Sequence, residues 1–394
     1  MKLVITPWKN RLGVFLLDND LLVEASIYDL EQNICIGDVY LGRINKILPE
    51  IKACFVQIGS KEEVFLPLDE APDGLKSGEN ILVQIKREAS KGKQPLATTK
   101  ISLTGSYCVV SGEKHSIEIS KKLNSNQREH WKRSLQEILN STSLNCDDKE
   151  LLEKYCVIIR TNVSNEPAIK EVLDEWLLLT KKMDFIIEKG KYQALYSKIY
   201  KEKTAYIQYI MNRLHDDLDE IIVDDELVYE EIKEAFSLHE DMQGRIRYYQ
   251  DSFPLTKLFS LESKMDDALS KKVWLKSGGF LIIEPTEALT VIDVNSGKFE
   301  KKMPAEDYYK KVNEEAAVEI ARQLKLRNIS GIIIVDFINM QSTDNQKALL
   351  DSLSKLVSKD KIKTFVIGMT SLGLVEITRE KKEKPLWEQI SRLN

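Results

Sequence analysis

The sequence predicts a multi-subdomain α/β protein, and three observations carry that expectation. Its 394 residues exceed what one hydrophobic core ordinarily serves, so several compact units are expected. Residues 34–110 hold short apolar runs broken by turn residues, at the spacing of a small β-barrel. The last third instead strings strand, helix and strand together in the order of a parallel βαβ unit.

Taken in order, residues 1–33 read as the short strands Lys2–Thr6, Arg11–Leu17 and Leu21–Asp29. Turn residues Asn10 and Asp18-Asn19-Asp20 divide them. In the barrel segment the strands are Asp38–Ile47, Ala53–Ile58, Glu63–Leu66 and Ile81–Arg87. Pro49, Gly59-Ser60 and Asp73-Gly74 separate them. A helix over Gln127–Leu139, a β run over Tyr155–Arg160 and a helix over Pro167–Met183 follow. From 202 to 240 the pattern reads strand, then acidic helix. Phe280–Glu284, Leu289–Val294 and Gly331–Phe337 are nearly continuous apolar runs, as expected of strands buried on both faces. Between the last two, Val312, Ala316, Ala317, Ile320, Ala321 and Leu324 recur at helical spacing. A helix over Thr343–Val357 and a strand over Thr364–Met369 extend the sheet.

Composition narrows the function classes. Hydrophobic residues at 43% and charged residues at 30% match a soluble globular chain. No apolar run nears the ~20 residues of a membrane span. The opening patch Met1–Thr6, ended by Pro7, is too short for a signal peptide, so a cytoplasmic location is expected. Cys35, Cys54, Cys108, Cys146 and Cys156 contain no C-x-x-C pair and read as reduced thiols. A net charge of −5 supplies no global attraction to a polyanion, so any nucleic-acid surface must be built from local clusters.

Three constellations carry chemistry. Leu289–Asp293 and Ile332–Asp336 are apolar strands that each end in a carboxylate. In a parallel sheet such ends share the edge where ligands bind, and two carboxylates there suit Mg²⁺. Asn295, two residues beyond Asp293, faces the same side if the strand continues. An Asp at a strand end also starts turns, and the residues alone leave both readings open. In the barrel segment, Phe55 and Phe65 lie on neighbouring strands, with Arg87, Lys91, Lys93 and Lys100 just beyond. Aromatic faces stack on bases and cations follow the phosphate backbone, whereas rings buried in a barrel would only fill it. Finally, Arg160-Thr161 ends a strand, where a planar fork and a hydroxyl suit a phosphate, or are simply exposed.

The wording of the chain is also recognisable. Ser277-Gly278-Gly279, Thr286–Thr290, Ile292-Asp293-Val294-Asn295-Ser296, Glu319–Leu324 and Val335-Asp336-Phe337-Ile338 resemble the catalytic region of the ribonuclease E/G family. So do Gly37–Arg43, Phe55-Val56, Phe65–Leu68 and Ile101-Ser102-Leu103, so that nearly the whole chain is covered. The resemblance implies a ribonuclease H-like subdomain (1–34 plus 200–272) with an inserted S1-type OB barrel (35–112) and a 5′-end sensor (113–199). A DNase I-like catalytic subdomain (273–394) would follow. It further implies a Mg²⁺-dependent endoribonuclease (Mn²⁺ being an alternative ion) that cuts single-stranded RNA to 5′-phosphate and 3′-hydroxyl ends. Asp293 and Asp336 would hold the ion and Asn295 would support them. Phe55, Phe65, Arg87 and Lys93 would contact RNA, and Gly105, Val109, Arg160 and Thr161 would grip a 5′-monophosphate. Because the chain lacks the family's C-x-x-C pair, neither structural zinc nor a zinc-linked dimer is expected. Asn339 stands where an acid is frequent, and Lys121 and Lys363 where arginine is common. The competing reading is a non-catalytic RNA-binding protein with the same fold, against which the retained Asp293, Asn295 and Asp336 weigh.

Overall fold

The computed structural model describes residues 1–30, 34–87, 89, 94–140, 145–165, 169–213, 218–237, 239–297 and 304–391. The chain forms two compact units. One holds Met1–Leu30, Asp219–Tyr229 and Arg245–Asn394, and the other Glu31–Leu218 and Glu230–Gly244. No helix among the described residues is long and apolar enough to cross a membrane.

The first strands are β1 (Lys2–Trp8), β2 (Arg11–Asp18) and β3 (Leu21–Tyr28), an antiparallel meander. Next come β4 (Val39–Leu48), β5 (Ala53–Gln57), β6 (Glu63–Pro67), β7 (Asn80–Arg87) and β8 (Leu96–Thr98). Their order β4-β5-β6-β8-β7, with β4 also pairing β7, closes a five-stranded OB-like barrel. Inward positions alternate with outward ones, and Ile44, Cys54, Val56, Val64, Leu66, Val83 and Ile85 fill the interior. The expected barrel strands are all present.

In the same unit follow β9 (Ser102–Thr104), β10 (Cys108–Lys114), β11 (Ser116–Ile119), β12 (Tyr155–Ile159) and β13 (Lys198–Tyr200). The first four make a sheet of order β11-β12-β10-β9. The helices Ser125–Asn140 and Ile169–Asp184 contribute Trp131, Leu135, Trp176 and Leu179 to its core. β13 joins the barrel through β4. It is pinned by the fully buried Asp38 carboxylate, which accepts from Lys198 Nζ (2.6 Å), Glu202 N (3.0 Å) and Cys35 N (3.1 Å).

The other unit adds β14 (Glu220–Val223) and β15 (Ile246–Tyr248), which extend the meander as parallel strands in the order β15-β14-β1-β2-β3. Where the sequence pattern at 202–240 suggested strand then helix, a helix at Ala205–Met211 precedes β14. The chain continues with β16 (Lys272–Trp274), β17 (Phe280–Pro285), β18 (Leu289–Asn295), β19 (Gly331–Asp336), β20 (Thr364–Met369) and β21 (Leu374–Arg379). These form a second sheet of order β16-β17-β18-β19-β21-β20. As expected, β18 and β19 are parallel neighbours joined by the helix Ala305–Leu326. Unanticipated is β21, which inserts antiparallel between β19 and β20.

The expectation of strands buried on both faces is corrected. Along β18 and β19 only alternate residues, Thr290, Ile292, Val294, Ile333 and Val335, are buried. They pack against Val312, Ala316, Ile320 and Leu324 of the crossover helix and Leu349 and Leu353 of the helix Thr343–Val357. The opposite face is open: Ile332 on β19 is 54% exposed. The apolar runs misled because outward positions also carry β-branched residues, hiding the period of two.

Candidate functional site

The parallel pairing of β18 and β19 sets Asp293 directly opposite Asp336, each the last or nearly last residue of its strand and both exposed. Neighbouring strands lie ~4.8 Å apart, so the two carboxylates are close neighbours on the open face. Asn295, on the same face, donates from Nδ2 to Asp293 Oδ2 at 2.7 Å and fixes that carboxylate. Among the described residues, no Lys or Arg pairs with either acid. Two uncompensated carboxylates side by side, one oriented by an amide, fit a divalent cation and suit Mg²⁺ in donor type.

The crossover helix holds both strand ends. Near its start Tyr308 donates to Ser296 O at 2.7 Å. Fully buried Asn313 brackets the other end, donating to Ile338 O (2.8 Å) and accepting from Ile338 N (3.1 Å). Glu306 accepts from Gln341 N and Ser342 N, both at 3.1 Å, and these backbone donors hold its carboxyl below the usual range. Beside β18, a Cβ at Gly279 would sit 2.7 Å from Asn295 O, and one at Gly297 would sit 2.2 Å from Gly278 O. Only glycines let the Ser277-Gly278-Gly279 turn approach the end of the Asp293 strand so closely. Asn339 lies exposed on the loop after β19, with its Oδ1 near Gly373.

On the barrel, Phe55 and Phe65 are paired across β5 and β6, with ring centroids 5.7 Å apart in an edge-to-face arrangement. Both are half-exposed and lie outside the cluster that fills the barrel. Alternation decides this: Cys54, Val56, Val64 and Leu66 point in, so the two rings point out. Arg87 ends β7 and is exposed. Lys91 and Lys93 lie outside the described residues, and Lys100 is exposed.

The third constellation sits where β12 meets the loop between β9 and β10. Arg160 Nη1 donates to Gly105 O (2.5 Å) and Ser106 O (3.4 Å), and Nη2 donates to Asn212 Oδ1 (2.7 Å). Two of its five N–H donors thus have no acceptor among the described residues, the number a bidentate phosphate contact uses. Burial pulls the guanidinium below its ordinary pKa, with the Glu175 charge opposing. Thr161 is half-buried at the start of a short 3-10 turn, and half-buried Val109 pairs with Thr104 and Ile158.

What holds this loop is not legible in the sequence. Glu175, 6% exposed, accepts from the backbone N–H of Ser106 (2.5 Å), Tyr107 (2.7 Å) and Cys108 (3.1 Å). Three backbone donors converging on one carboxylate stabilise its charge. Burial and that carboxylate push the Cys108 thiol well above its ordinary value. Gly105 is required by the packing of this loop. A Cβ there would lie 2.4 Å from the Glu175 carboxyl carbon, so the glycine first makes room for the glutamate. Tyr308, Asn313 and Glu175 all went unnoticed because each is a lone polar residue on a helix, indistinguishable in sequence from a solvated face.

A family model described as the Ribonuclease E/G family matches residues 102–382. The chain is 32% identical over 405 residues to Ribonuclease G of Escherichia coli K12, covering 97% of this chain and 80% of that protein. The chain belongs to the ribonuclease E/G family. Ribonuclease G of Haemophilus influenzae is 30% identical over 97% of this chain and 79% of its own length. Ribonuclease E of Nostoc sp. is 32% identical over 90% of this chain and 52% of its own length. The matched region of the ribonuclease E/G model takes in β18, β19 and the Arg160 loop alike.

The Glu175 arrangement makes a direct prediction. Gly105→Ala should drive the carboxylate out of its seat and strand backbone donors, each worth about 1–3 kcal/mol when buried and unpaired. Chemical denaturation should show a loss of at least that size, and an unchanged midpoint and slope would refute the arrangement.

Proposed function

We propose that this member of the ribonuclease E/G family is a Mg²⁺-dependent endoribonuclease, with Mn²⁺ as a workable substitute, that cuts single-stranded RNA in RNA processing or decay. The observation that carries the proposal is the Asp293–Asp336 pair, exposed, unpaired with any cation among the described residues and braced by Asn295. A divalent ion bound there would polarise a phosphoryl oxygen and lower the pKa of a bound water. Asp293 and Asp336 supply the anionic seat, and Asn295 keeps one Asp293 oxygen from rotating away. In the hydrolysis, water oxygen bonds to phosphorus, the phosphorus–3′-oxygen bond breaks, and the leaving oxygen takes a proton. The products are a 5′-phosphate and a 3′-hydroxyl.

The rest of the chain would hold the substrate. Outward-facing Phe55 and Phe65 offer two stacking surfaces on an OB-like, S1-type barrel, with Arg87 and Lys93 as backbone contacts. Arg160, Thr161, Gly105 and Val109 would form the 5′-phosphate sensor. In this reading the sheet β15-β14-β1-β2-β3 is the ribonuclease H-like subdomain (1–34 plus 200–272). The open sheet carrying Asp293 is the DNase I-like catalytic subdomain (273–394). Residues 35–112 and 113–199 are barrel and sensor. A non-catalytic RNA binder would have no use for two adjoining, uncompensated carboxylates, whose mutual repulsion is unfavourable.

The test is incubation with an unstructured RNA oligomer, with and without Mg²⁺, followed by mapping of product ends. Cleavage should require Mg²⁺ and leave 5′-phosphates. Asp293→Asn or Asp336→Asn should abolish it while folding and RNA binding persist; near wild-type cleavage by either variant would show the site lies elsewhere.

The sensor reading makes its own prediction. Single-turnover cleavage should be about tenfold faster or more on 5′-monophosphorylated RNA than on matched 5′-hydroxyl or 5′-triphosphate RNA, from one charge-assisted bidentate contact. Arg160→Gln should erase the difference. Equal wild-type rates on all three ends would remove the sensor and leave the carboxylate site standing.

A further inference from the structure

The open face of the catalytic sheet carries a second feature in line with the carboxylates. Register runs across four strands: Lys272 opposite Ile282, Ile282 opposite Asp293, and Asp293 opposite Asp336. One step along, Trp274 stands opposite Phe280 and Phe280 opposite Asn295. Residues opposite one another, or two apart on a strand, share a face. Phe280 therefore lies on the face of Asp293 and Asn295 on the adjacent strand, and Trp274 and Lys272 lie on that face two strands away, roughly 10 Å at the usual strand spacing.

The local geometry is that of a platform. Trp274 is 65% exposed on the edge strand β16, at the mouth of the turn Leu275–Gly279. Its ring centroid is 5.4 Å from that of Phe280, at an interplanar angle of 64°. Lys272 Nζ sits 3.8 Å from both ring centroids. With the ammonium on one side and Phe280 beside it, an indole this exposed leaves a broad face to solvent. Leaving so large an apolar surface in water is unfavourable unless something covers it. The neighbouring ammonium makes that occupant an anion, and the same-face carboxylates make it the chain being cut.

We propose that Trp274, flanked by Lys272 and Phe280, is a base-stacking subsite for a nucleotide of the RNA strand within one or two positions of the cut. Lys272 pairs with a backbone phosphate of that nucleotide, and the indole takes its base. Such stacking accepts any base, so the subsite sets the path of the strand rather than its sequence. The assignment rests on the nuclease reading for its substrate, but not for its detection.

The test measures binding of a labelled, unstructured RNA oligomer to the full chain without added metal, using wild type, Trp274→Ala and Trp274→Phe. One stacked base predicts a loss of about fivefold or more in affinity for Trp274→Ala and most of it restored by Trp274→Phe. Oligomers with a single abasic nucleotide, moved stepwise, give the decisive readout. One position should weaken wild-type binding yet leave Trp274→Ala binding unaffected, because the partner of the missing base is already gone. Equal affinities for wild type and Trp274→Ala, or identical abasic profiles, would overturn the subsite, including the case in which a protein covers the indole. If RNA is never cleaved but the abasic dependence appears, the subsite stands and the nuclease reading falls. If cleavage occurs and Trp274→Ala changes nothing, the reverse holds.

Discussion

Everything at the candidate active site depends on β18 and β19 being adjacent and parallel. A parallel pair brings equivalent ends of both strands to one edge, so Asp293 and Asp336 cannot avoid each other. The crossover helix Ala305–Leu326 enforces this, burying Val312, Ala316, Ile320 and Leu324 against one side of the sheet. Its polar residues then finish the edge, with Tyr308 on Ser296 and Asn313 on Ile338. Two carboxylates are thus held side by side on the exposed face of a rigid core, with no Lys or Arg paired to either among the described residues.

An acidic chain that handles a polyanion needs its cations and aromatics in the right places. Net charge is −5, yet Arg87 and Lys100 are exposed on the barrel segment and Lys272 flanks Trp274 near the carboxylates. Long-range attraction is sacrificed for local contacts, which salt screens less when they are partly buried. Arg160 is fixed locally: three of its donors tie it to Gly105, Ser106 and Asn212, and two have no acceptor among the described residues. The loop it leans on is itself held by Glu175, so one buried carboxylate supports the position of the Arg160 guanidinium.

Much of this was legible in the sequence, for identifiable reasons. The βαβ unit announced itself because apolar runs and a 3.6-residue stripe are local signals. The barrel strands followed from turn residues at short spacing, and the carboxylates from their position at strand ends. What stayed hidden depended on distant partners. Glu175 meets residues 67–69 positions earlier in the chain. β21 follows β20 in the chain yet pairs inside it, against β19, and the open face of the sheet was masked by outward-pointing Ile332 and Ile334. Trp274 reads in sequence as one more apolar residue; only register across three strands puts it on the face of Asn295.

The proposed role of Asp293 and Asp336 is to hold a divalent cation together. Electron paramagnetic resonance of Mn²⁺ titrated into the purified chain tests it without any substrate. A bound ion is expected in the wild type, displaced by excess Mg²⁺, with affinity lost in both Asp293→Asn and Asp336→Asn and reduced in Asn295→Ala. Mn²⁺ binding that survives both aspartate substitutions, or is absent from the wild type, would contradict it.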